Sequence, residues 1–109
     1  MYWEEMQKSG RWDIAYICDT DSVSRELAKK LSPSSRIISD EQEIFDDCSI
    51  EVVGLFALAD SRNEQIKKAV RSNKHILTEK PIADTIEKEW EIVDLIEKYN
   101  KVAAVNLYL

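Results

Sequence analysis

Glycine is scarce in this 109-residue sequence, with Gly10 and Gly54 the only two. A phosphate-cradling loop needs several closely spaced glycines so that backbone N–H groups can approach the phosphates, and no such loop lies within these residues. The two cysteines, Cys18 and Cys48, stand far apart and match no metal or redox spacing. Each is expected to be a small buried apolar side chain. No stretch approaches the ~20 apolar residues of a membrane-spanning helix. Bases are outnumbered by acids, 15 to 21, for a formal net charge of -6. That balance argues against nucleic acid and against an anionic membrane surface as partners, since both need clustered Lys and Arg. The first ten residues carry acids and Trp3 where a secretory leader needs bases and then an apolar run, so a cytoplasmic, reduced setting is expected.

What is present alternates regularly. Tyr2 to Ser9 reads as the end of a helix closed by Gly10. Asp13-Ile-Ala-Tyr-Ile-Cys-Asp19 is a short apolar run ending in an acid, as expected of a strand buried on both faces. Ser22 is placed to cap a helix whose inner stripe is Val23, Leu27 and Leu31. After the break at Ser32-Pro33-Ser34-Ser35, a brief strand from Arg36 to Ser39 leads to Asp40, which caps a short helix through Ile44 and Phe45. The most apolar run, Val52 to Leu58, reads as a central parallel strand. A helix follows from about Ser61 to Ser72, with Ile66, Ala69 and Val70 inward, and Asn73 closes it in the left-handed conformation. His75 to Thr78 forms the next strand. Thr85 caps a long helix with Ile86, Trp90, Val93, Ile96 and Tyr99 as its stripe, and Val102 to Val105 forms a last strand. Strands alternating with helices over short connections specify an α/β fold, a doubly wound parallel sheet of Rossmann-like type.

In such a sheet, ligands sit at the carboxyl ends of the strands. Those ends carry Asp19, then Leu58-Ala59-Asp60, then Glu79-Lys80-Pro81, then Asn106. Asp19 has two readings: an acceptor for the hydroxyls of an adenosine ribose, or a turn-forming acid before a helix. Lys80 also has two: a donor to a substrate hydroxyl or carbonyl on a turn made rigid by Pro81, or a solvated lysine before a turn proline. His75, the one histidine, stands at the start of its strand, away from the expected site, and reads as structural. A phosphoacceptor receiver domain also joins strand-end acids to a late Lys-Pro, but Asp60 stands too close to Lys80 for that arrangement.

The run Asn73-Lys-His-Ile-Leu-Thr-Glu-Lys-Pro-Ile-Ala83 resembles the G-K-H-V-x-x-E-K-P-x-A signature of the glucose–fructose oxidoreductase / inositol dehydrogenase (Gfo/Idh/MocA) family. Ile17-Cys18-Asp19 with its following helix is similar to the family's second strand and helix, and Val52 to Leu58 to its fourth strand. The resemblance implies that residues 1–109 are a partial NAD(P)-binding Rossmann domain. The first strand with its G-x-G-x-x-G turn, and the second, substrate domain, would then lie outside these residues. It implies hydride transfer between NAD, or NADP, and a hydroxyl of a sugar, cyclitol or similar polyol. Lys80 would be the catalytic lysine, Asp19 the ribose ligand, and Ala57, Leu58, Glu79 and Pro81 the remaining cofactor-binding positions. No metal is implied. The sequence departs from the family pattern at Asn73, where the pattern has glycine. It departs at Ala57-Leu58-Ala59, where the pattern has T-P-N, and at Arg62, where it has histidine.

The resemblance therefore leads to an oxidoreductase portion that is inactive alone and holds no cofactor tightly alone. The other reading is a non-catalytic binding or assembly module derived from a dehydrogenase domain. In the Rossmann strand order the first strand is central. Without it the strands near Asp13 and Val52 either pair directly or leave apolar edges, and such edges favour a homo-oligomer in which Trp3 and Trp12 lie at the contact.

Overall fold

A computed structural model describes residues 2–106 of the chain, with side chains from Glu4 onward. Two compact units divide it, Met1–Ile44 and Phe45–Leu109.

The first unit runs α1 (Tyr2–Lys8), β1 (Tyr16–Cys18), α2 (Ser22–Leu31) and β2 (Arg36–Ile38). Gly10 ends α1 at φ 71°, the left-handed region in which a Cβ is disfavoured. β1 and β2 are parallel, with Tyr16 opposite Arg36 and Cys18 opposite Ile38. The Ser32–Ser35 break is a hydrogen-bonded turn. Ser32 is fully buried, its Oγ lies 2.6 Å from the Ser35 Oγ, and Gln7 Nε2 donates to it at 3.0 Å. The Ser35 hydroxyl also donates to the Ile14 carbonyl, tying the turn to the approach of β1.

Asp21, not Ser22, caps α2. Its carboxylate accepts from the Ser24 N–H at 3.1 Å and from the Ser24 hydroxyl at 2.8 Å, and Ser22 becomes the first helical residue. The expected inner stripe of α2 faces outward. Val23, Leu27 and Leu31 are 73%, 50% and 46% exposed, while Ala28 is buried. Helical spacing identifies a stripe but not what covers it.

α3 (Gln42–Asp46) spans the division between the units, and the rest of the second unit is β3 (Val52–Leu55), α4 (Ala59–Arg71), β4 (His75–Glu79), α5 (Ile86–Glu97) and β5 (Ala103–Asn106). The Asp40 carboxylate accepts from the Gln42 N–H at 3.0 Å, the expected cap. β3, β4 and β5 form a parallel sheet in that order, with Leu55 opposite Thr78 and Glu79 opposite Asn106. Val53, Leu55, Ile66, Ala69, Ile76 and Ile92 are its buried core. Each such fully buried branched side chain contributes about 1.5–3 kcal/mol. Asn73 closes α4 at φ 60°.

The fold is α/β with parallel strands throughout, as expected, but among the described residues the strands form two sheets, β1–β2 and β3–β4–β5. They follow the 3-2 and 4-5-6 portions of the Rossmann order. Among the described residues β1 pairs with β2, and β3 pairs with β4. Hydrogen-bonded neighbours are a matter of backbone register between distant segments, and apolar periodicity carries no such information.

α5 also differs from expectation. Ile92 is buried, but Ile86 and Trp90 are each 65% exposed. Trp90 is thus not helix core. α5 packs on α4 and the sheet through Ile92, Val93 and Ile96, which line an apolar cavity of about 220 Å³ with Ile66 and Ile76. Cys18 is half-buried and Cys48 exposed, so only Cys18 approaches the expected burial. Trp12 is 41% exposed, and the Trp3 side chain lies outside the described residues. No described helix is long and apolar enough to cross a membrane.

Candidate functional site

The second unit brings the carboxyl ends of β3 and β4 together around one side chain. Arg62, in the first turns of α4, is 2% exposed. Its Nη1 donates to the Glu79 carbonyl at 3.1 Å and also to the Pro81 carbonyl, while Nη2 donates to the Ala57 carbonyl. A planar guanidinium, with five donors in a fixed fork, can serve three carbonyls at once. The sequence marked Arg62 only as a departure from the family pattern, and its role arises from contacts 5, 17 and 19 residues away.

Lys80 lies at the tip of this arrangement. It is exposed, follows the last residue of β4, and is joined to Pro81 by a cis peptide bond. Glu79 is half-buried and Pro81 exposed. The Thr78 hydroxyl, buried beneath, donates to the Leu55 and Glu79 carbonyls, each at 3.3 Å, and so links β3 to the same turn. Across the end of β3, Ala57 is exposed and Leu58 is 77% exposed at the N-cap position of α4. Of the sequence-derived positions, Ala57, Leu58, Glu79, Lys80 and Pro81 thus share one end of the β3–β4–β5 sheet, with Asn106 paired to Glu79 at its edge.

Asp19 belongs to the first unit, at the carboxyl end of β1. Its Oδ1 accepts from the Asp21 N–H at 2.9 Å, its N–H donates to the Ile38 carbonyl at 3.1 Å, and Arg25 Nη1 donates to its own carbonyl at 2.9 Å. These three contacts hold the backbone and one carboxylate oxygen. Burial, followed by the charges of Glu41, Asp19, Asp40 and Glu43, raises the thiol pKa of Cys18 beside it.

The rest of the signature is structural. Lys74 is 2% exposed, and its Nζ donates to the Asp47 and Ile50 carbonyls at 2.7 and 2.9 Å. His75 Nδ1 accepts from the Val102 N–H at 3.0 Å and so pins β5 to β4, in agreement with its structural reading. No group of three or more His, Cys, Asp or Glu able to hold a metal occurs among the described residues.

Neither glycine lies in a turn between a strand and a helix, the place where this fold cradles a pyrophosphate.

Comparison with known proteins decides the lineage. The profile of the oxidoreductase family with an NAD-binding Rossmann fold (GFO_IDH_MocA) matches residues 1–107. The chain belongs to the Gfo/Idh/MocA family. It is 31% identical over 88 residues to D-xylose dehydrogenase of Paenarthrobacter nicotinovorans, covering 78% of this chain and 22% of that protein. It is 27% identical over 95 residues to inositol 2-dehydrogenase/D-chiro-inositol 3-dehydrogenase of Lacticaseibacillus casei, covering 85% and 28%. Among solved structures, levoglucosan dehydrogenase in complex with NADH is similar, with a TM-score of 0.77 and 27% identity over 84% of this chain and 25% of that one. The chain thus spans about a quarter of the length of these Gfo/Idh/MocA relatives.

Proposed function

We propose that this chain is the cofactor-binding part of an NAD-dependent dehydrogenase that acts on a hydroxyl of a sugar, cyclitol or similar polyol. Its membership of an NAD-binding oxidoreductase family supports the reaction class. The observation that carries the assignment of residues is the convergence of the β3 and β4 ends on Arg62, with Lys80 exposed at the tip.

A bound NAD would supply the acceptor for the hydride that leaves the carbinol carbon. The residues of this chain have other tasks. The Lys80 Nζ exchanges a proton with the reacting hydroxyl and holds its oxygen in place. Pro81, which lacks an N–H, and the carbonyls held by Arg62 keep the Lys80 backbone from drifting. Ala57 and Leu58 cover one side of the cofactor's path with small or apolar surface, and Glu79 borders its reactive end. The Asp19 carboxylate accepts from the adenosine ribose hydroxyls.

The test is Lys80→Met in the full protein that carries this chain, with NAD and D-xylose or inositol as probes. Turnover is expected to vanish while NADH binding, followed by fluorescence titration, stays close to wild type. Retained turnover removes Lys80 from the reaction. A wild-type protein that binds NADH and turns over no polyol favours the non-catalytic module instead.

A further inference from the structure

We propose that Arg62 is the positioning residue of the candidate site, setting where Lys80 stands relative to the cofactor-facing end of β3. The inference rests on the reading of Lys80 given above.

Three observations carry it. Arg62 is nine-tenths or more buried, yet its guanidinium contacts backbone carbonyls on both sides of Lys80, those of Glu79 and Pro81. The same head group holds the Ala57 carbonyl at the end of β3, so one rigid plane joins the two strand ends. The acceptors are neutral carbonyls. Burying a guanidinium against them costs more desolvation than filling the space with an apolar side chain, so packing alone does not account for it.

The fork geometry is the essential part. Lysine at this position retains the charge, but its compact ammonium lacks the two-nitrogen fork that reaches Glu79 and Pro81 on one side and Ala57 on the other. A residue holding the peptide on either side of Lys80 fixes that residue's Cα, and with it the arc swept by Nζ. Displacement of about 1 Å at a reacting group is enough to cost roughly a hundredfold in rate. Arg62 is thus expected to govern turnover without touching cofactor or substrate.

The experiment compares Arg62→Lys and Arg62→Met with wild type and with Lys80→Met in the full protein. Amide hydrogen exchange is read over residues 79–83, and kcat, KM and the pH profile of kcat are read with NAD and D-xylose or inositol. Both Arg62 variants are expected to exchange faster over 79–83 with β1 and β2 unaffected. Their kcat falls roughly ten- to a hundredfold, with a displaced pH profile and a Kd for NADH near that of wild type. Arg62→Lys recovers less than half of the lost rate. Should Arg62→Met fail to fold, Arg62→Lys decides alone. Unchanged exchange in Arg62→Lys overturns the proposal, and so does faster exchange with wild-type kcat and pH profile. Activity retained by Lys80→Met, or no turnover by wild type, is instead a failure of the functional reading, and the exchange data still decide whether Arg62 holds the turn.

Discussion

The ammonium of Lys74 donates to the backbone carbonyl of Asp47 at 2.7 Å from a side chain that is 2% exposed. It donates a second bond to Ile50 at 2.9 Å, so a residue at the head of β4 anchors the loop that leads into β3. The Tyr99 hydroxyl adds a bond from the end of α5 to the Lys74 carbonyl at 2.7 Å. Three elements meet at one residue. Lys74→Met keeps the stem's packing but leaves the Asp47 and Ile50 carbonyls without their charged donor. It is expected to lower unfolding free energy by about 2 kcal/mol, measured by urea denaturation. A change within error of zero would show that water replaces the ammonium there.

Asp21 links the stability of α2 to pH. Its carboxyl pKa is held below the ordinary aspartate value of 3.8, chiefly through the side-chain hydrogen bond from Ser24 and then through the Ser24 backbone N–H. A lowered folded-state pKa contributes stability above the unfolded value, and that contribution is lost as pH falls through the folded one. The difference in denaturation midpoint between wild type and Asp21→Ala is therefore expected to be full at neutral pH and to shrink below pH 3.8. An equal difference at both ends of that range refutes the linkage.

The full protein is expected to prefer NAD over NADP. The Asp19 carboxylate, with its backbone fixed by Ile38 and Arg25, would face a 2′-phosphate with its own negative charge. Steady-state comparison of the two cofactors checks this, and Asp19→Ala should narrow the preference. A clear NADP preference in wild type contradicts it.

The isolated 109-residue chain is expected to show no binding to NAD at micromolar concentration in calorimetry. Pyrophosphate capture in this fold depends on close backbone approach at a glycine turn and on the helix that follows. A tight complex with these residues alone would mean that the phosphates are held elsewhere.

The same isolated chain is expected to self-associate. Val23, Leu27, Ile86, Trp90 and Val102 are each half or more exposed, apolar side chains that a second copy could cover. Light scattering over a concentration series measures this. A monomer at high concentration would show that these side chains are tolerated in water.

Much of the local structure around the candidate site was legible in the sequence, and for identifiable reasons. The left-handed Asn73, the Thr85 cap, the placement of Lys80 just past a strand and the structural role of His75 all follow from local chemistry. Each depends on a residue and its near neighbours, and such interactions are written along the chain. The capping of α2 went to Asp21 over Ser22 because a carboxylate one residue earlier reaches the Ser24 N–H, a competition that residue type alone leaves open.

Tertiary structure alone decided the rest. Trp90 and Leu27 carry the right helical spacing for a core but face outward, since burial depends on which partner element arrives. The division of five parallel strands into two sheets depends on hydrogen bonds between distant backbones, whose register no local pattern encodes. Arg62 is the sharpest case. Its sequence neighbourhood is an ordinary helix start, and its meaning comes from three carbonyls brought to it by the ends of two strands. Periodicity and capping set the elements, while long-range contacts determined which side chains lie beneath the lysine.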